Sequence, residues 1–138
     1  MIILDTNVVS EPLKPQPNPN VLEWLDCQAV GTLFLTTLTF AELNAGIEIL
    51  PAGKRRTQLH HALTARVMPL FEGRVLSFEQ AAATAFGRIY ASAQAVGNPI
   101  DFADCAIAAI ATSRRYIVAT RNARDFKGTG TELINPWE

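Results

Sequence analysis

No run in this sequence approaches the ~20 consecutive apolar residues needed to span a bilayer, and the four apolar residues ahead of Asp5 leave no room for the hydrophobic core of a secretory signal. No membrane association is expected, and the predicted location is cytoplasmic. Cysteine is scarce: Cys27 and Cys105 stand far apart, without the CxxC or Cys/His spacing of a zinc site. They read as free thiols in a reducing compartment. Charge of one sign is lacking as well. Twelve Lys and Arg against thirteen Asp and Glu leave a net charge of -1, so no global basic field announces a nucleic-acid partner, and any such contact has to come from local clusters.

What is present is apolar material in short, punctuated runs. At 138 residues and 49% hydrophobic the chain has the size and content of one folding unit over residues 1–138, with enough apolar surface to make a homodimer a fair expectation. Strand-type runs at Ile2 to Leu4, Leu33 to Thr36, Arg74 to Leu76, Ile117 to Thr120 and, weakly, Leu133 to Ile134 alternate with longer helical patterns. This alternation predicts an α/β fold, a central parallel sheet of about five short strands with helices on both faces.

The helix signals are specific enough to be tested. Asn18-Pro19 suits the cap and first turn of a helix carrying Val21, Leu22, Trp24 and Leu25. Thr39 and Glu42 stand in capping-box spacing for a helix starting near Thr37 to Thr39 and presenting Leu43, Gly46, Ile47 and Leu50. A helix from about Lys54 to Val67 is expected to close before Pro69. Ser77 and Gln80 form a second capping-box pair, ahead of a helical face made by Ala82, Ala85, Phe86, Ile89 and Ala93 that stops at Gly97-Asn98-Pro99. A last helix, Asp101 to Ser113, carries small residues that allow close packing on the sheet.

Four carboxylates fall where such a fold would gather them. Asp5 follows the first strand, Glu42 sits in the helix after the second, Asp104 lies in the first turn of the helix before the fourth, and Asp125 follows that strand. Each has an ordinary explanation: a turn or cap for Asp5, a capping box for Glu42, a first-turn acid for Asp104, a surface acid beside Arg121 or Arg124 for Asp125. Asp101 is read as an N-cap and left out of the set. The joint placement is what points to chemistry. Ligand sites of open α/β sheets form at the carboxyl edge of the strands, and several carboxylates packed together need protons or a cation to coexist. Oxygen-only donors suit Mg²⁺, with Mn²⁺ as an alternative, and acids holding such ions are the usual centre for phosphodiester hydrolysis. Asp5, Asp104 and Glu42 are the expected metal ligands, with Asp125 as a fourth acid. Thr6, Asn7, Thr120 and Asn122 are polar neighbours able to orient them, and more weight falls on Thr120 and Asn122. Arg114, Arg115, Arg121, Arg124 and Lys127 form a basic segment against the single acid Asp125, a candidate grip on RNA phosphates.

Two rival site chemistries lack their parts. A phosphatase with a nucleophilic aspartate needs a second Asp two positions after the first, where this chain has Asn7, and a phosphoacceptor domain needs a lysine near a late strand end, where Thr120-Arg121 offers none.

The strings Met-Ile-Ile-Leu-Asp-Thr-Asn-Val-Val-Ser at the start, Thr-Phe-Ala-Glu-Leu at 39–43, Asp-Phe-Ala-Asp-Cys-Ala-Ile-Ala-Ala at 101–109 and Ala-Thr-Arg-Asn-Ala-Arg-Asp-Phe at 119–126 together resemble PIN-domain proteins of the VapC toxin type, across essentially the whole chain. Ser-Glu-Pro-Leu-Lys-Pro-Gln-Pro and the final Asn-Pro-Trp-Glu resemble a FitB-like subgroup. The resemblance implies a PIN-like fold and a Mg²⁺-dependent ribonuclease, the toxin of a type II toxin-antitoxin pair, neutralised by a cognate antitoxin. It puts Asp5 and Asp104 at the principal ligand positions and Glu42 at the third acid. Many relatives carry an acid where this chain has Asn122, which leaves Asp125 as the nearest carboxylate. It further implies a homodimer or dimer-based assembly with an antitoxin that lays a segment near the acids and touches DNA. A non-catalytic partner in operator-bound autorepression is the alternative it allows.

Overall fold

The computed structural model describes all 138 residues. Five parallel strands, β1 (Ile2–Leu4), β2 (Leu33–Thr36), β3 (Val75–Leu76), β4 (Ile117–Ala119) and β5 (Leu133–Ile134), lie side by side in the order β3-β2-β1-β4-β5. The chain therefore builds outward from β1 through β2 to β3, then returns to the other side of β1 with β4. β1 and β4 flank the point where the strand order reverses, the position at whose carboxyl edge ligand sites form in open α/β sheets.

Alternation along the strands sends side chains to two cores. Ile3 and Val118 point to a cluster with Ala82, Ala85 and Ile89 of α6 (Gln80–Ala95) and with Cys105 and Ile107 to Ala111 of α7 (Phe102–Arg114). Leu4, Leu33, Leu35 and Ala119 point to the opposite cluster, with Val8 and Val9 of α1 (Thr6–Ser10) and Leu43 and Ile47 of α3 (Thr37–Glu48). Helices thus cover both faces, as the alternating sequence pattern predicts. Ala106, Ala108, Ala109 and Ala111 are fully buried because α7 lies between the sheet and α6, where only small side chains admit so close an approach.

Asn18 caps α2 (Pro19–Asp26) and Asp101 caps α7, both as read from sequence. Three other boundaries differ. Thr36, not Thr39, caps α3: its Oγ accepts the Thr39 N–H at 3.1 Å, which leaves Glu42 outside any capping box. α6 begins at Gln80 with no side-chain cap, so Ser77 plays no part in its start. Helix continues past Val67: α4 (Lys54–Ala62) passes into a π-type turn at Leu63–Val67 and a short α5 (Met68–Leu70) that contains Pro69. Burial of Leu63, Val67 and Phe71 in the second core keeps this segment coiled, and Pro69 falls in a first turn, where its missing N–H costs least.

Gly128 sits at φ +86° against α6, its carbonyl accepting from Ser92 Oγ at 2.9 Å. A Cβ there would lie 2.5 Å from Val96 Cγ2. Gly128→Ala is expected to cost about 1–2 kcal/mol, mostly from the left-handed backbone since the Val96 side chain can turn away, read as a lower urea midpoint at unchanged slope. An unshifted midpoint would refute the strain.

Candidate functional site

The carboxyl edge between β1 and β4 is organised around Asp5. Its backbone N–H extends the ladder to Ala119 O at 2.9 Å, and its side chain caps α1 by accepting the Thr6 N–H at 2.8 Å. The other carboxylate oxygen accepts from Thr120 Oγ at 2.7 Å and Asn7 Nδ2 at 3.3 Å. Asp5 is only 4% exposed, and burial raises its pKa against the pull of these three donors. A buried carboxylate so heavily hydrogen-bonded is fixed in place, ready to present its oxygens in one direction.

Thr6 joins the second acid to the first. Its N–H serves Asp5, while its hydroxyl donates to Glu42 Oε1 at 2.7 Å, across 36 residues of sequence. Glu42 lies on a solvent-facing part of α3, yet partial burial of its carboxyl raises its pKa, offset by the Thr6 bond and reinforced by the charges of Asp5 and Asp101. The capping explanation for Glu42 is replaced by this cross-element contact.

Asp104, half-buried in the first turn of α7, is the most perturbed acid. Burial first, then the charges of Asp101, Asp5, Asp125 and Glu42, push its pKa up to about 7. Asp101 caps the helix through the Asp104 N–H at 2.9 Å and also contributes to the negative field on three of the other acids. Its membership was readable in the Asp-Phe-Ala-Asp spacing, which puts both acids on the first turn of one helix. Asp125 is exposed on the 3-10 turn Ala123–Phe126 and reaches the cluster through its charge on Asp104.

The polar neighbours divide unevenly. Thr6, Asn7 and Thr120 all hold acids directly, whereas Asn122 contributes only its backbone N–H, to Thr120 Oγ at 3.0 Å. Among the basic residues, Arg121 is tied to the site, its N–H donating to Asn7 Oδ1 at 3.2 Å, and Arg124 and Lys127 follow on the same exposed turn. Arg114 and Arg115 are not brought to it. α7 runs back from the carboxyl edge, so its last turn lies about 15 Å away along the helix axis, at the opposite edge of the sheet.

No cation balances these acids. The three ion pairs of the chain, Lys14–Glu11, Arg56–Glu48 and His60–Glu48, all lie outside the cluster. Nor do any three Asp, Glu, His or Cys side chains close into a preformed metal cage. Uncompensated hard-oxygen donors in an open arrangement fit a small divalent ion that keeps several waters and takes a few carboxylates, better than an ion that demands a full protein shell.

Beside Glu42 and Thr6 an apolar cleft of about 260 Å³ opens between α1, α3 and α4, lined by Leu13, Leu43, Ile47, Leu59 and Leu63.

Fold and site together define an α/β protein whose centre is an unneutralised carboxylate cluster at the switch point of a parallel sheet. Residues 2–131 match the PIN domain. The chain is 44% identical over 138 residues to VapC ribonuclease Y4jK of Sinorhizobium fredii, covering 100% of this chain and 99% of that one. It is 42% identical to Toxin FitB of Neisseria gonorrhoeae over 137 residues, 99% of each. A solved structure of FitAB bound to an IR36 DNA fragment superimposes with a TM-score of 0.96 at 40% identity, covering 100% of this chain and 96% of that one. The chain belongs to the PIN-domain family, among relatives of the VapC and FitB type. No helix is long and apolar enough to cross a membrane.

Proposed function

We propose that this chain is a divalent-cation-dependent endoribonuclease acting as the toxin of a type II toxin-antitoxin pair in the cytoplasm, its residues 1–138 forming one PIN-type unit. The observation that carries the reading is the convergence of Asp5, Glu42, Asp104 and Asp101, with Asp125 at the rim, without a single balancing cation. The names of relatives, a VapC ribonuclease and a toxin, support it.

Asp5, Asp104 and Glu42 would hold Mg²⁺, with Mn²⁺ as an alternative. When bound, such an ion polarises a phosphodiester oxygen and lowers the pKa of water. The chain's own residues prepare the ground. Thr120, Thr6 and Asn7 fix the Asp5 carboxylate, and Thr6 also aims Glu42, so neither acid has to reorganise when substrate enters. Asp104 shares its proton with solvent near neutral pH and releases it as positive charge arrives. Asp125 adds negative potential at the mouth. Arg121, Arg124 and Lys127 lie on the turn beside the acids and would receive RNA phosphates, while Arg114 and Arg115, at the far edge, act as a solvated helix end.

A second reading, a binding partner of a DNA-contacting antitoxin, is favoured by the likeness to FitAB bound to DNA. It is compatible with the first. An apolar segment of the antitoxin would seat in the cleft of Leu43, Ile47 and Leu59 and cover Glu42 at its end.

Incubated with single-stranded RNA and Mg²⁺, the purified chain is expected to cut internally, to stop when the ion is chelated, and to be silenced by its co-expressed antitoxin. Cleavage unchanged by chelation would overturn the assignment.

A further inference from the structure

Arg121 is the only basic residue whose backbone is bonded into the site, two hydrogen bonds from the Asp5 carboxylate through Asn7 at 3.2 Å and 3.3 Å. Its guanidinium lies over the Trp137 ring, 5.4 Å from Cζ to the centroid. That ring is anchored. The Trp137 N–H donates to Asn135 Oδ1 at 3.0 Å, its carbonyl accepts from Asn20 Nδ2 at 3.2 Å, and the indole packs half-buried against the core containing Leu4 and Ala119. No carboxylate stands within ion-pair distance of the guanidinium; the nearby buried Glu11 is taken by Lys14 at 2.8 Å and the Asn18 N–H at 3.0 Å. A guanidinium held over a ring face spends none of its N–H donors on the ring, and the contact restricts the rotamer freedom that an exposed arginine would otherwise lose on gripping a ligand.

We infer that Trp137 is a positioning residue: it holds the Arg121 guanidinium at the rim of the carboxylate site so that the free edge receives an RNA phosphate beside the bond to be cut. This rests on the nuclease reading above. Arginine matches a phosphate with two parallel N–H bonds, and a grip carried by the residue whose backbone N–H bonds Asn7 fixes the register of the strand relative to the acids. The terminal Asn-Pro-Trp turn, remote from the acids in sequence, is thereby part of the substrate-binding device.

The test uses Asp104→Asn protein, expected to cut RNA about a thousand-fold more slowly, in the absence of divalent ions, and measures anisotropy of a short fluorescent single-stranded RNA across a salt series. Trp137→Ala is expected to weaken binding about ten-fold and to flatten the log Kd against log salt slope by about 0.7, the share of one phosphate contact on a single strand. Trp137→Leu, which keeps apolar packing without the ring, should behave like Trp137→Ala, and Trp137→Phe should restore most of the slope. Arg121→Ala should give the same loss, with no further loss in the Arg121→Ala/Trp137→Ala double variant. An unchanged slope in Trp137→Leu, or losses that add in the double variant, would overturn the inference while the nuclease reading stands. No RNA binding by the parent at any salt would fail that reading and the inference with it.

Discussion

Asp104→Asn is expected to reduce Mg²⁺-dependent RNA cleavage about a thousand-fold or more while leaving the fold intact, with single-turnover cleavage and a thermal melt as the two measurements. The size follows from losing a ligand charge where several acids share one ion; a thousand-fold corresponds to about 4 kcal/mol of transition-state stabilisation. Asp104 is the clean position for this test. Its side chain caps nothing, and the helix start is secured by Asp101. Asp5→Asn should lose as much activity but is less clean, because a new NH₂ would face the Asn7 amide and the Thr120 hydroxyl, donors that now converge on a carboxylate oxygen. Glu42→Gln keeps an acceptor for Thr6 and is expected to lose about 10–100-fold, and Asp125→Asn less than about ten-fold. Equal cleavage by the wild type and Asp104→Asn would remove the cluster from the chemistry.

The gradation separates what sequence made visible from what it hid. Strand positions were legible almost to the residue, because Ile-Ile-Leu, Leu-Phe-Leu and Ile-Val-Ala are apolar runs bounded by polar turns, and the parallel sheet followed from their alternation with helices. Asp5 and Asp104 were legible as acids at element ends. The role of Thr6 was not. Its partner is 36 positions away, and a Thr after a strand reads equally well as a helix start. Thr36 and Thr39 offered two cap positions, and burial of Thr39 inside the helix decided in favour of the first. The basic segment misled in a different way. Arg114 and Arg121 are close in sequence, but the intervening strand β4 carries the chain from one edge of the sheet to the other. Local charge density says nothing about such a reversal; topology does.

The same electrostatics that make Asp104 useful make it costly to the empty protein, and the sign is testable. Its folded pKa, about 7, lies above the usual 3.8, so between those values the folded state keeps a proton that the unfolded chain has released. Stability therefore falls as pH rises through that window and levels off above it. In a fully buried acid a rise of this size would correspond to roughly 4 kcal/mol, but the side chain is only half-buried, and solvent screening brings the contribution to on the order of 1–2 kcal/mol. Asp104→Asn removes the penalty. At pH 8 without divalent ions the variant is expected to melt about 3–6 °C above the wild type, and at pH 4 the two should nearly coincide. Because the effect comes from burial and from the field of Asp101, Asp5, Asp125 and Glu42, added Mg²⁺ should raise the wild type more than the variant and close the gap at pH 8. A gap that is equal at pH 4 and pH 8 would mean that the charge on Asp104 carries no such cost. A gap unaffected by Mg²⁺ would mean that the cost exists but the ion is not what relieves it, and the assignment of Asp104 as a ligand would fall even if the pH dependence held.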